Sequence, residues 1–159
     1  MKVRIGPVKT TDMAEWLRFS RRIGCDLRTD PGDMASHSAL GQVREWNKLL
    51  DEWAEELESG EPGDSLLASD DGSFNWDGEF DPDRAEYLMH SMQKTIHSAT
   101  VHKLVTADDL RKHGWLTMHV MQRFIESLAS EGAAHEEYVD QLRQIVKDFG
   151  ARIEEHTSD

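Results

Sequence analysis

The chain has one cysteine, four prolines, two tyrosines and no long apolar run. With Cys25 alone, neither an internal disulfide nor a multi-thiolate zinc site can be assembled. Cys25 reads as a small residue just past a helix end, and a reduced, cytoplasmic setting is the default expectation. No stretch approaches the ~18 apolar residues that a bilayer crossing requires. The start, Met1-Lys2-Val3-Arg4-Ile5-Gly6-Pro7, has no apolar h-region of the secretory type.

The most informative shortage is of positive charge. Between Lys48 and Arg84 there is no lysine or arginine, whereas thirteen acids stand there: Asp51, Glu52, Glu55, Glu56, Glu58, Glu61, Asp64, Asp70, Asp71, Asp77, Glu79, Asp81 and Asp83. The protein has 31 acids and 18 bases, so its formal charge of −13 belongs to this one segment and the remainder is balanced. Residues 1 to 28 show the reverse bias, with seven bases against three acids. Phosphate contacts need clustered Lys and Arg, so direct binding of nucleic acid or an anionic membrane is not expected. The sign suits a basic protein partner, a cation, or solubility alone.

At 159 residues, 38% hydrophobic and 31% charged, the chain is expected to be a single domain over residues 1–159. Residues 2 to 9 read as a short extended arm. Thr11 and Asp12 offer helix caps, and Met13, Trp16, Leu17 and Ile23 then keep helical spacing up to Gly24, where a short helix should stop. After the turn at Asp30-Pro31-Gly32-Asp33, Leu40, Val43, Trp46, Leu50, Trp53 and Leu57 alternate steps of three and four. That rhythm predicts a helix from about Met34 to Glu58, roughly 35 Å long at ~1.5 Å per residue.

Residues 60 to 80 form an irregular acidic connection. Its Phe74, Trp76 and Phe80 read as an aromatic flap on the helices, with a tiny hairpin about Asp77-Gly78 as the alternative. Asp81-Pro82 opens a third helix, to about Leu104, because Asp caps and Pro occupies a first-turn position whose N–H is unused. Thr106 caps a fourth that runs to Ser130. Its apolar rhythm passes through Gly114 in phase, which predicts one helix with a close backbone approach at that glycine. The last helix should run from about Ala134 to Glu155. The expected fold is all-α: an up-down bundle of four long helices with a short N-terminal helix and a long acidic loop.

Little of the chemistry searched for is present. The eight histidines are spaced so that His90, His97, His102, His113 and His119 cannot pair on one helix face around an ion. Glu86 with His90, Asp109 with His113, and Glu131 with His135 are four apart, as in surface ion pairs. A calcium loop centred on Gly78 would need a carboxylate where Arg84 stands. There is no phosphate-cradling glycine loop, G-x-S-x-G or H-E-x-x-H.

Two functional readings remain, from different classes. In the first, the acidic segment is a recognition surface for a basic protein, as in an inhibitor, an immunity-type protein or a nucleic-acid mimic. It needs no cofactor. Its contact residues are Asp51, Glu52, Glu55, Glu56, Glu58, Asp70, Asp71 and Asp77, with Trp53 and Trp76 as aromatic anchors. Five of these acids crowd the end of one helix, where the macrodipole prefers cations, and a local rule broken without compensation points to function.

In the second reading, Glu52, Glu55, Glu56, Asp83 and Glu86 converge between antiparallel helices and hold Mg²⁺ for attack on a nucleotide phosphate. Asp83-Arg84-Ala85-Glu86 departs from the second E-x-x-D of the all-α nucleoside-triphosphate pyrophosphohydrolases, which weakens that reading. Self-association of the basic first 28 residues with the acidic segment is a third option.

Overall fold

Val3 and Ile5 alternate with polar residues, the period of two of a strand, and Val8 resumes that period one residue out of phase. The computed structural model describes residues 1–29, 37–59, 66–67, 71–132 and 135–157, with backbone alone for 26–29, 37–42 and 156. Its elements are β1 (Lys2–Lys9), α1 (Thr10–Thr29), α2 (His37–Ser59), β2 (Ser73–Glu79), α3 (Pro82–Val101), α4 (Ala107–Ser130) and α5 (Glu136–Thr157). The chain is thus mostly helical, as expected, but it also carries a two-stranded sheet.

That sheet corrects the expectation for residues 73 to 80. β1 and β2 pair antiparallel, Lys2 opposite Glu79, Ile5 opposite Trp76 and Val8 opposite Phe74, with a register shift between Ile5 and Val8. Asp77-Gly78 lies inside the strand and turns nothing. Gly78 is required there because the Trp76 indole folds back over it; a Cβ would stand 1.9 Å from the ring. A two-stranded ribbon is marginal alone. This one is held by burial of Val3, Ile5, Val8, Phe74 and Trp76.

The N-terminal helix is also longer than expected. α1 continues through Gly24 for twenty residues. Gly24 is a packing position and not a stop: a Cβ would meet the Asn47 amide of α2 at 2.3 Å. Cys25 therefore lies within α1, exposed. Trp16 meets Trp53, Arg21 meets Asp51 and Gly24 meets Asn47, so α1 and α2 run antiparallel. Trp16, Phe19 and Arg22 in turn meet Thr117, His113 and Asp109, so α1 and α4 are antiparallel too.

Two of the cap readings hold in detail, whereas Thr11 and Asp12 lie inside the first turn of α1, which starts at Thr10. The Asp81 carboxylate accepts from Arg84 N at 2.8 Å, with Pro82 beginning α3. Thr106 and Asp109 form a reciprocal capping box at the start of α4. α4 is unbroken at Gly114, whose missing side chain leaves room for Ile153 of α5, 2.7 Å from an ideal Cβ. The expected starts of α2 at Met34 and α5 at Ala134 fall outside the described residues.

At the centre stands a chain of indoles. Trp16 lies 6.0 Å from both Trp46 and Trp53, and Trp53 lies 5.2 Å from Trp76. Phe80 and Phe124 extend it towards α4. Edge-on aromatic pairs of this kind add about 0.5–1.5 kcal/mol each beyond area burial. The Trp16 indole donates to Thr117 Oγ1 at 3.0 Å, which joins the cluster to α4.

Candidate interaction surface

The acidic segment is divided by the fold into acids that are neutralised and acids that are left outward. Asp77 is held by Arg4, whose Nε and Nη2 donate to its two carboxylate oxygens at 2.8 and 3.0 Å. This hydrogen bond keeps the Asp77 carboxyl below its ordinary range against the opposing effect of burial. Asp51 pairs with Arg21 at 2.8 Å on the surface. Asp71 accepts from Ser73 N at 3.1 Å and so shapes the entry to β2. Asp70 lies outside the described residues.

Glu52, Glu55 and Glu58 are exposed, and their spacing of three places them along one side of the last turns of α2. No ion pair engages them among the described residues, and the last turn of α2 contains no base. Glu56 is half-buried. The exposed stripe is therefore narrower than the expected surface.

Trp53 and Trp76 are not anchors on that surface. They are 0% and 4% exposed and face each other in the core. Both fall at positions where helix or strand periodicity turns the side chain inward, so an indole that was read as a contact is spent on folding.

The five carboxylates of the Mg²⁺ reading are not brought together. Arg84 pairs with Glu45 at 3.4 Å, which sets the first turn of α3 beside the middle of α2 and not beside its acidic end. Glu86 is engaged elsewhere: the Tyr138 hydroxyl of α5 donates to it, and His90 Nε2 lies 4.0 Å away. Among the described residues no group of three or more His, Cys, Asp or Glu side chains is placed to hold a metal ion.

Of the i,i+4 pairs read in the sequence, Glu86–His90 is present at 4.0 Å, while Asp109 and His135 have other partners. His90 Nε2 lies 3.4 Å from the Tyr138 hydroxyl, completing a Glu86–Tyr138–His90 cluster between α3 and α5. Sequence spacing within one helix carries no signal for a hydroxyl arriving from another. His113 stacks on Phe19 at 4.5 Å, while Asp109 accepts from Thr106 N and Arg22. Glu131 accepts from Lys2 N, and His135 Nδ1 from Glu137 N. His90 and His119 are half-buried, and His97 is exposed.

The class that these observations define is a mainly helical fold with, among the described residues, five helices, a small sheet and an anionic stripe at the end of one helix. No described helix is long and apolar enough to cross a membrane. Comparison with family models, with curated proteins and with solved structures gives no match.

Proposed function

We propose that this is a non-enzymatic interaction protein that presents the acidic end of α2 to a basic protein partner. The observation that carries the reading is the contrast within one segment. Asp51 and Asp77 have arginines, while Glu52, Glu55 and Glu58 stand exposed side by side with no ion pair among the described residues. Like charges at this spacing repel one another and the helix dipole, and a cationic partner relieves both.

The contact set is Glu52, Glu55 and Glu58, supported by Asp51, Glu56 and Asp71. The frame beneath it is read as an up-and-down course of helices in a cytoplasmic, reduced setting. The basic N-terminal residues meet acids of their own chain at Arg4–Asp77 and Arg21–Asp51, which leaves fewer bases for pairing with a second copy. The scattered carboxylates give the Mg²⁺ phosphohydrolase reading no comparable support.

The test is affinity capture from the native host with the wild type and with Glu52→Lys/Glu55→Lys/Glu58→Lys. A basic protein retained by the first and lost from the second supports the proposal, and its on-rate should fall steeply with salt. Capture that survives charge reversal, or an on-rate indifferent to salt, overturns it.

A further inference from the structure

A cavity of about 290 Å³ opens where the C-terminal halves of α3 and α5 meet the first turn of α4. This is near the lower end of ligand pockets, ~300–1,000 Å³. Ile96, Leu110 and Phe149, all buried, supply an apolar floor. Val101 stands at its lip and is 59% exposed, one of three large apolar residues among those described that face solvent.

The rim carries a specific charge. Arg152 Nη1 lies 3.3 Å from His97 Nδ1. A guanidinium only donates, so in this contact Nδ1 is the acceptor. Among the described residues Arg152 therefore spends one donor on an imidazole nitrogen and makes no ion pair. Its remaining donors form a planar fork matched to a carboxylate.

We propose that this cavity binds a small amphiphile bearing one carboxylate, with its hydrocarbon on Ile96, Leu110 and Phe149 and its carboxylate on Arg152. Glu155, also on the rim, and the negative C-terminal ends of α3 and α5 oppose an anion, so the attraction rests on Arg152 and is tested there. The net charge of −13 resides mainly in residues 49–83. Exposed charges lying more than ~8 Å away are largely screened at physiological salt.

The experiment is methyl NMR of the full chain with octanoate and, separately, octan-1-ol. Octanoate should produce saturable shifts at the methyls of Ile96, Val101 and Ile153. Arg152→Gln should weaken octanoate about tenfold and leave octan-1-ol unchanged. Arg152→Lys, which keeps the charge and loses the fork, should fall between. Absence of saturation by ~10 mM octanoate, a concentration corresponding to affinities too weak for function, overturns the proposal. Shifts centred away from these methyls, or octanoate affinity unaltered by Arg152→Gln, overturn it equally. Unfolding midpoints of both variants separate loss of the ligand contact from loss of the fold.

Discussion

Arg4 grips both oxygens of Asp77 across the β1–β2 pair, joining residues 73 positions apart in the chain. The Asp77 side chain is 10% exposed and that of Arg4 62%, so the carboxylate is sheltered by a cation that remains in water. One of the acids that seemed available to a partner is thus a structural element of the sheet.

The pair makes stability depend on pH in a definite direction. The folded Asp77 carboxyl titrates below its unfolded range, first because Arg4 donates to it. Its contribution is complete above the unfolded value of about 4 and is lost as the pH falls through the lower folded value. Arg4→Met should raise the Asp77 pKa and lower the urea midpoint at neutral pH. The gap from wild type should close on acidification below about pH 4. A gap that stays constant across the acid range would show that the fork has no electrostatic role.

Gly78 offers a sharper test of the core. An added Cβ would lie 1.9 Å from Cη2 of the Trp76 ring and 2.4 Å from Cζ3. A flat ring wedged against Trp53 and Phe80 cannot yield as a flexible chain end would. Gly78→Ala should therefore destabilise by about 1–3 kcal/mol, the usual range for overpacking, and should alter the near-ultraviolet circular dichroism. An unchanged aromatic spectrum with unchanged stability would mean that the indole is not fixed over that glycine.

The parts legible in the sequence were those governed by local rules. Asp81-Pro82 and Thr106-x-x-Asp109 cap helices through atoms within one turn, so reading them needs no knowledge of the rest of the fold. Gly114 was legible because an apolar rhythm ran through it unbroken. Gly24 was misread by the rule that reads a glycine as a stop, since the residue that demands it, Asn47, lies on another helix. β2 escaped notice for the same reason: its partner strand is more than sixty residues earlier. The acidic segment was legible as a charge pattern, but its division into paired and outward acids depends on where Arg4 and Arg21 arrive. Trp53 and Trp76 were assigned to the wrong side because richness in tryptophan does not distinguish an interface from a core.

Three of the half-buried histidines, His90, His113 and His119, set a second pH dependence. Burial lowers the pKa of His90, His113 and His119. Around His90, Glu86 opposes the shift and Lys94 adds to it. Asp109 and Glu15 oppose it at His113 while Lys112 and Arg22 add to it, and at His119 Arg123 lowers while Glu126 raises. In each the neutral ring is the folded form, so the unfolded chain takes up protons first. Stability is full above the unfolded value of about 6.5 and declines as the pH drops below it. His119→Gln should flatten part of that decline below about pH 6.5. Imidazole NMR midpoints above about 6.5 for these three would contradict the assignment.

The Tyr138 hydroxyl supplies the matching test at the alkaline end. Burial, followed by its hydrogen bond to Glu86 and the charge of that carboxylate, pushes its pKa up to about 12. Because the folded pKa lies above the unfolded value of about 10, the phenol's contribution is full below pH 10 and is lost as the pH rises towards 12. In a Tyr87→Phe background Tyr138 is the only tyrosine, and its ionisation can be followed by absorbance alone. The midpoint should lie near 12 and should fall when Glu86→Gln removes the carboxylate charge, though not to the unfolded value, since burial is the larger cause. The same substitution should also weaken the bridge between α3 and α5, by about 1 kcal/mol for one net hydrogen bond. If Glu86→Gln leaves the midpoint where it was, the shift belongs to burial alone and the hydroxyl is not held by that carboxylate.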